Sequence, residues 1–484
     1  MTIGYRVSAT TGPANPESTE ISGIEQFGYT QELKRTLKFS DLMIYGLIFM
    51  VPIAPFAIFG GVFHDSGGMA PLAYIIALLA MMFSANSYSQ MAQAFPMAGS
   101  VYTYAGRGIA RPVGFIAGWM ILLDYVLIPT LLYLAAAIAM NGIIPQVPLW
   151  AWLVAFIVLN TVINYLGMQL TARVNKVMLV LELVVLAIFL VVGIAALAQG
   201  KGQGFSFDAF FNTDTFSLPL LFGAASIAVL SFLGFDGIST LAEENAGPSK
   251  SIGRSMIAAL IVVGVLFVVQ TWVASMLVED PAALLKNGDP TGVAFYRAAE
   301  TAGGTVMFIL TAASTALAWG FANALVAQAA TSRLLYAMAR DRQLPKFLSK
   351  VSARHSVPVN ATILVAAISL ILGLYLTVLP DGLGAIAALV NFGALTAFLL
   401  LNVSVVWWFV VKQKSRRWFV HLIFPVVGFA ILVGVLYNAR ASAQVLGIVW
   451  LVIGIIVAIG VYRTGRMKTP LPPELPASME ARRP

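Results

Sequence analysis

Three carboxylic acids, Asp124, Glu182 and Asp236, lie within long apolar stretches of the chain, whereas no lysine or arginine does. A charged side chain at the centre of a bilayer costs at least about 2.5–3.5 kcal/mol on insertion scales, so acids are seldom found there without a task. A buried carboxyl group can hold a proton, because burial favours its neutral form, or it can pair with an ammonium group. The three acids therefore predict a pathway for cations or protons.

The surroundings of each acid indicate a role and leave an alternative open. We predict that Asp236 binds an ammonium group or carries a coupling proton; otherwise it is a hydrogen-bonded acid that stabilises an irregular helix. Glu182 either carries a proton or forms an interhelical hydrogen bond as a neutral acid. Asp124 and Tyr125 are adjacent, so their side chains point about 100° apart and only one faces a cavity squarely. Tyr125 would offer cation–π attraction to an amine, and Asp124 its charge or its proton.

The composition is that of a membrane protein. Of 484 residues, 59% are hydrophobic and only 10% are charged, and the mean hydropathy is +0.87. A soluble domain carries about 25% charged residues. The chain has no cysteine, its three histidines lie near predicted helix ends, and it has no phosphate-binding loop motif. We therefore expect no metal site, no cofactor and no ATP hydrolysis by such a loop.

Twelve apolar stretches are long enough to cross the hydrocarbon core, which takes about 20 helical residues. We predict membrane spans at 41–63, 70–94, 113–139, 147–168, 173–198, 218–242, 255–279, 304–330, 358–380, 383–411, 420–438 and 442–462. Residues 1–40 form a polar N-terminal tail without the features of a signal peptide, and residues 463–484 form a Pro-rich C-terminal tail.

Charges on the predicted connections indicate the orientation. If both tails are cytoplasmic, 25 lysines and arginines lie inside and four lie outside, namely Lys201, Lys286, Arg297 and Arg440. One span more or fewer would invert this bias downstream, so the positive-inside rule favours twelve spans with both termini cytoplasmic. The same distribution accounts for the net charge of +8 without a nucleic-acid partner.

Spans 1 and 6 are predicted to be discontinuous. Span 1 has two prolines three residues apart, which remove two backbone donors, and span 6 has Gly234 and Gly237 on either side of Asp236. Backbone groups freed by a break must face a cavity, water or a ligand. Transporters built from inverted repeats bind their substrates at such breaks. We place the binding site there, with Ile53 and Ala54 contributing from span 1; a close helix contact that tolerates glycine is the alternative at span 6.

Residues near the breaks extend the predicted site. Its walls are predicted to include Phe232, Phe235, Trp319 and Asn391, although aromatic side chains in membrane helices more often pack or anchor at the interface. The paired acids at the end of span 6 either form a solvated part of a cytoplasmic gate or supply one carboxylate to the substrate path. We assign Glu243 to the substrate path and Glu244 to the gate with Lys250 and Arg254, and the two glutamates could exchange roles. On a separate cytoplasmic loop helix, Arg333, Arg340 and Asp341 are expected to form structural salt bridges or to meet lipid headgroups.

Several motifs resemble the amino acid–polyamine–organocation superfamily of transporters. The run FLGFDGISTLAEENAGPSKSIGRSM at 232–256 resembles its unwound helix 6 and the loop that follows, and FPMAGSVYTYAGR at 95–107 resembles the loop after helix 2. SRLLYAMARDRQLPKFL at 332–348 resembles the loop helix after helix 8, and NFGAL at 391–395 the start of helix 10. Within the superfamily, GWMILLDYVLIP at 118–129 is similar to bacterial putrescine importers.

This resemblance implies an all-α membrane protein of twelve transmembrane helices. Two five-helix inverted repeats, at about 41–198 and 218–411, would be followed by two further helices at about 420–462. It also implies alternating access, driven by a proton gradient or by exchange. Two departures bear on the substrate. Ile53-Ala54-Pro55 replaces a glycine-rich triad that cradles a carboxylate in many amino acid members, while Ala57 stands near an acid of the putrescine importers.

The sequence therefore favours a secondary transporter of the bacterial inner membrane that imports a small amine or amino acid, with a putrescine-like polyamine slightly favoured and a proton as the expected coupling ion. An amino acid permease or exchanger is the alternative, and the oligomeric state stays open. A cation channel would be expected to present rings of acids around an oligomeric pore. An enzyme would be expected to cluster nucleophiles, bases or metal ligands, and the sequence shows neither pattern.

Overall fold

The computed structural model describes residues 35–96, 100–166, 172–340, 344–352 and 357–463. All regular structure in these ranges is helical, apart from one isolated bridge between Leu37 and Asn245. Helices suit an apolar chain because they satisfy backbone hydrogen bonds within one segment. The tails at 1–34 and 464–484 lie outside the described residues, as do part of the 95–107 motif and Asp341.

Seventeen α-helices make up this part of the chain. In order they are α1 Phe39–Met50, α2 Pro55–Asp65, α3 Ala70–Ala94, α4 Ser100–Gly108, α5 Arg111–Ile143, α6 Leu149–Tyr165, α7 Ala172–Ala198, α8 Leu218–Ala228, α9 Lys250–Leu277, α10 Pro281–Asn287, α11 Ala294–Gly303, α12 Thr305–Leu317, α13 Ala324–Arg340, α14 Val359–Thr377, α15 Gly382–Val405, α16 Phe424–Tyr437 and α17 Ala441–Arg463.

The all-α membrane architecture is confirmed. Ten helical segments of the described chain are long and apolar enough to cross a membrane, and the bent pair α1 and α2 would make an eleventh span. The short apolar helix α6, at the predicted fourth span, has 17 residues. These elements follow the order of the predicted spans, while the count of twelve itself stays a prediction.

The break in span 1 is confirmed. Helices α1 and α2 meet at an angle of 61°, and the four residues between them include Val51 at φ 54. This left-handed conformation is strained for a β-branched residue. From α9, the Gln270 side-chain amide donates to the Pro52 carbonyl at 2.9 Å. Three features therefore accompany the break: its prolines, the strained backbone of Val51 and the amide donor Gln270 on α9.

The break in span 6 is also confirmed. Helix α8 ends at Ala228 and continues as a 3-10 turn to Phe232. Gly234 then adopts φ 108, and a second 3-10 segment runs over Phe235–Glu244. Runs of 3-10 helix longer than four residues are uncommon and often mark a functional hinge. Asp236 lies in the first turn of this segment, directly after the break.

Span 8 differs from the prediction in two ways. A π-helical segment, Ala318–Asn323, joins α12 to α13. Helix α13 then continues to Arg340, so the separate loop helix predicted to carry Arg333 and Arg340 was wrong. The physical reason is that residues 324–340 contain no glycine or proline to end the helix.

The helices pack around one large apolar core. Helix α3 lies along α9, and α5 lies along α15. Helices α3 and α9 are the second members of the two predicted repeats, so their pairing supports the repeat, which stays a prediction. The core surrounds both breaks and buries the acids of the membrane interior.

Candidate functional site

The Asp236 side chain is buried at the break of span 6. Only 3% of the residue is exposed, and its Oδ2 atom has no hydrogen-bond partner. The Tyr88 hydroxyl and the backbone amides of Gly234 and Gly237 interact with the carboxyl group. An unpaired carboxylate oxygen in a low-dielectric interior is costly. The group therefore needs a proton or a cation.

Tyrosines from three helices interact with this carboxyl group. Tyr45 of α1, Tyr88 of α3 and Tyr125 of α5 each interact electrostatically with Asp236. The position of Tyr125 is fixed through its carbonyl, which accepts a 2.6 Å hydrogen bond from the Thr331 hydroxyl on α13. Tyr125 is thus close enough to Asp236 for their charges to interact, and its role in substrate binding stays a prediction.

Asp124 belongs to the same group. It is 5% exposed, its Oδ1 atom lacks a hydrogen-bond partner, and it interacts electrostatically with Asp236. Two carboxyl groups in one apolar site disfavour double ionisation. Ionisation of one of the two carboxyl groups therefore disfavours ionisation of the other.

Gly234 is required by the packing at the break. A β-carbon there would collide with the Phe49 ring of α1, and the positive φ disfavours any other residue. Gly237 is less constrained, because a β-carbon would meet Tyr45 Cε1 at an ordinary 3.6 Å. The ring of Phe49 therefore covers the break from the side of α1.

Ile53 and Ala54 are buried in the span 1 break. The Ala54 amide donates to the Val51 carbonyl at 2.8 Å, and the Phe56 amide donates to the Ile53 carbonyl at 2.9 Å. Pro55 begins α2 and has no amide hydrogen. The Ala54 and Phe56 amides are thus both hydrogen-bonded to carbonyl groups within the break.

The predicted wall residues lie close to the break but are held by packing. Phe232 contacts the rings of Tyr74 and Phe267, and Phe235 contacts that of Tyr88. Both phenylalanines are fully buried. They therefore sit within an aromatic cluster of the described core.

Asn391 and Trp319 occupy different surroundings. The Asn391 amide on α15 donates to the Ser226 carbonyl at 2.6 Å, which holds the last turn of α8. Its Oδ1 atom and the Trp319 indole nitrogen are buried without partners. Trp319 lies in the π-helical segment between α12 and α13. Asn391 is thus a positioning residue for the span 6 break.

Glu182 is buried on α7, which packs against α1 and α9. It is 6% exposed, and its Oε2 atom has no hydrogen-bond partner. Its role as a proton carrier or as a neutral partner in an interhelical hydrogen bond stays a prediction.

The predicted gate residues separate into two groups. The Glu244 carbonyl accepts hydrogen bonds from the Thr36 and Leu37 amides at 3.0 Å, which ties the end of span 6 to the segment before α1. Glu243 lies beside it. The side chains of Lys250 and Arg254 line a different cleft, formed with the loop before α16. Glu244 and Arg333 both interact electrostatically with Tyr45 of α1.

A cavity of about 290 Å³ opens at the end of the bundle that is predicted to be outside. Ala57 of α2 and Ile227 of α8 line it, close to both breaks, and Asp289, Asp381 and Arg440 line it as well. Arg440 forms ion pairs with Asp381 and, at 3.6 Å, with Asp65.

Asp289 brings a carboxylate to the wall of α2. It packs directly against Gly60, where a β-carbon would collide with it. Burial raises the pKa of Asp289 above its ordinary value, although hydrogen bonds from the backbone amides of Ala294 and Val293 oppose the rise. The outer cavity therefore has the acid Asp289 on its wall and the apolar residues Ala57 and Ile227 next to the breaks.

Sequence reasoning missed Tyr88, Gln270, Asp289 and Arg440. Gln270 is a lone amide in an apolar helix, and that signal could have marked it as a partner for the freed carbonyl of span 1. Tyr88 and Asp289 carry no comparable signal, because their importance comes from distant parts of the chain that fold against them.

Comparisons with known proteins agree with this architecture. The amino acid permease family matches residues 40–462. The low-affinity putrescine importer PlaP of Escherichia coli K12 is 34% identical over 449 residues, covering 91% of this chain and 96% of PlaP. The branched-chain amino acid permease BcaP of Bacillus subtilis is 29% identical over 456 residues, covering 88% of this chain and 93% of BcaP.

A third relative is named for a different substrate. The methylthioribose transporter of Bacillus subtilis is 25% identical over 459 residues, covering 88% of this chain and 93% of that protein. These relatives are transporters rather than enzymes, and each alignment extends over most of both chains. The chain belongs to the amino acid permease family of the amino acid–polyamine–organocation transporters.

Proposed function

We propose that this chain imports a small amine, with putrescine-like diamines favoured, across the bacterial inner membrane by alternating access. Both termini lie in the cytoplasm in this proposal, as the distribution of lysine and arginine favours. The observation that carries the proposal is the buried Asp236 carboxyl group with an unpartnered oxygen at the span 6 break. An ammonium group would supply the missing hydrogen bonds and the opposite charge.

The surroundings of Asp236 suit an amine better than a carboxylate. The face of a tyrosine ring attracts a cation, and Tyr125 is the ring we assign to this contact. Asp124 could pair with the second charge of a diamine because it interacts with Asp236. At the span 1 break, by contrast, the Ala54 amide is already bonded and Pro55 has none to offer. These features favour a substrate without a carboxylate.

The outer cavity supplies a path for such a substrate. Arg440 on the same wall compensates Asp381, so Asp289 supplies the negative charge that would raise the local concentration of cations. Its inner end is lined by Ala57 and Ile227, next to the breaks. We propose that an amine enters here and reaches Asp236 when α1 and the 3-10 segment of span 6 shift relative to one another.

Protons are the proposed coupling ions. Asp124 and Asp236 can exchange a proton when an ammonium group arrives, since both cannot stay ionised without a cation. Glu182 is a second proposed proton carrier, on a separate route. A carboxyl group that is protonated on one side of the membrane and deprotonated on the other would link the two fluxes.

An amino acid substrate is the alternative, and similarity to a branched-chain amino acid permease supports it. A thermal-shift screen of the purified protein separates the two. It would test putrescine, cadaverine, spermidine, leucine and valine on the wild type, on Asp236→Asn, and on Asp208→Asn as an exposed control. A ligand that binds the native state raises the apparent Tm by mass action.

We expect diamines to stabilise the wild type and Asp208→Asn but not Asp236→Asn. Asparagine keeps the shape of the side chain and removes its charge, so loss of the response would identify the charge as the binding element. Stabilisation by leucine or valine and not by diamines would refute the amine proposal and leave the amino acid alternative.

A further inference from the structure

A second cleft, at the opposite end of the bundle from the outer cavity, is lined by basic side chains. Its volume is about 580 Å³. Four cations line it, Lys250 and Arg254 from α9 and Arg416 and Arg417 from the loop before α16, and no acid does. Within the described chain, no carboxylate forms an ion pair with any of the four. The putrescine-importing site explains none of them.

The cleft has a fixed wall rather than a loose loop. His421 is 4% exposed, stacks on Phe409 with ring centroids 4.0 Å apart, and contacts Gln90 of α3 at 3.2 Å. Its other ring nitrogen lies 2.8 Å from the Ser415 hydroxyl. That hydroxyl accepts a hydrogen bond from the Arg417 amide. The loop that carries two of the cations is therefore anchored to α3.

The cleft continues into an exposed aromatic and apolar surface. Trp418 is 52% exposed and Phe419 is 70% exposed beside the arginines. Further along the chain, at and just before the start of α16, Phe424 and Ile423 are also exposed. Exposed aromatic residues are typical of the membrane–water interface, and exposed aliphatic residues of the acyl region. A lipid at this place would meet cations at its headgroup and apolar side chains along its tails.

We propose that this cleft binds the phosphate of an anionic phospholipid of the cytoplasmic leaflet. Arginine and lysine are the side chains that bind phosphate groups, and basic pockets between membrane helices on this side bind anionic headgroups. A soluble phosphate would use the cations alone, whereas a phospholipid also uses the aromatic and apolar surface beside them. Bound lipid would bridge α3 and α9 to the loop before α16, so Lys250 and Arg254 serve lipid binding rather than a gate.

The test measures thermal stabilisation of the full chain in neutral detergent by added dioleoylphosphatidylglycerol, with dioleoylphosphatidylcholine and inorganic phosphate in parallel. Two double variants remove the cations of one wall each: Arg416→Gln with Arg417→Gln, and Lys250→Gln with Arg254→Gln. The matched control, Lys346→Gln with Lys350→Gln, removes two exposed cations from the same predicted side but outside the cleft. Equal Tm values without lipid, or with phosphatidylcholine, establish that every variant is folded.

We expect phosphatidylglycerol to stabilise the wild type and the control with the same midpoint concentration. Each cleft variant should need roughly 25-fold more lipid, because each cation near an anionic headgroup contributes about one factor of five and each variant lacks two cations. Equal midpoints in all four proteins would overturn the proposal in favour of diffuse attraction. Stabilisation by inorganic phosphate at the same concentration would overturn it in favour of a soluble anion.

Discussion

At the scale of single residues, buried acids govern the chemistry. Asp124, Glu182 and Asp236 each keep one carboxyl oxygen without a hydrogen-bond partner in an almost fully buried position. Such an oxygen is tolerated when a proton neutralises the group or when a cation approaches it. The two states are alternatives, which is the physical basis of the proposed exchange of a proton against an amine.

The ring of Tyr125, rather than its hydroxyl, is expected to contact the ammonium group. Tyr125→Phe keeps the ring and should change diamine affinity little, whereas Tyr125→Leu should weaken it roughly 2- to 30-fold, the range of a cation–π contact. Ligand titration followed by tryptophan fluorescence or calorimetry measures both. Equal losses in the two variants would show that the hydroxyl makes the contact instead.

At the scale of elements, the span 6 break depends on the close approach of α1. Gly234→Ala forces a β-carbon into the Phe49 ring and into a positive φ, so we expect it to destabilise the protein by about 1–3 kcal/mol and to lower the apparent Tm. Gly237→Ala is the matched control, because its β-carbon finds ordinary space. Similar Tm values for the two variants would contradict this packing.

The span 1 break depends on an amide from α9. Gln270→Leu leaves the Pro52 carbonyl without its donor, and a buried acceptor that loses its partner costs about 1–3 kcal/mol. We expect a lower apparent Tm than for Gln199→Leu, which alters an exposed glutamine. An unchanged Tm would show that water replaces the Gln270 side chain.

Local chemistry made both breaks predictable, because paired prolines remove backbone donors and a glycine pair lowers the helix propensity of the segment. The π-helical segment around Trp319 and the 3-10 run after Gly234 were not predictable in the same way. Their geometry follows from the packing of neighbouring helices, such as the 2.7 Å hydrogen bond from Asn160 to the Gly320 carbonyl. That contact cannot be inferred from the sequence alone.

At the scale of the whole molecule, composition and charge placement predicted the membrane class and the order of the spans. The burial of the three membrane acids was predictable from their place in apolar stretches, whereas the roles assigned to Asp236, Tyr125 and Glu182 stay predictions. Lys250 was assigned to a gate from its position beside Glu244, yet its side chain faces the basic cleft. Such contacts depend on the direction in which a side chain points from its helix axis, and not on how many residues separate two positions in the sequence.

Orientation can be tested directly because the chain has no cysteine. Asn287→Cys lies on a connection predicted to be outside, and Lys350→Cys on one predicted to be inside; both positions are exposed. We expect a membrane-impermeant maleimide to label the first in intact cells and the second only after permeabilisation. The reverse pattern would place both termini outside.

Uptake of radiolabelled putrescine into proteoliposomes tests amine import most directly. Wild-type protein, Asp236→Asn and the exposed control Asp208→Asn would be compared with and without an acidic exterior, and with excess unlabelled leucine as competitor. We expect saturable uptake by the wild type and the control, faster with acid outside, unaffected by leucine and absent in Asp236→Asn. Leucine uptake without putrescine uptake, or full putrescine uptake by Asp236→Asn, would contradict the account.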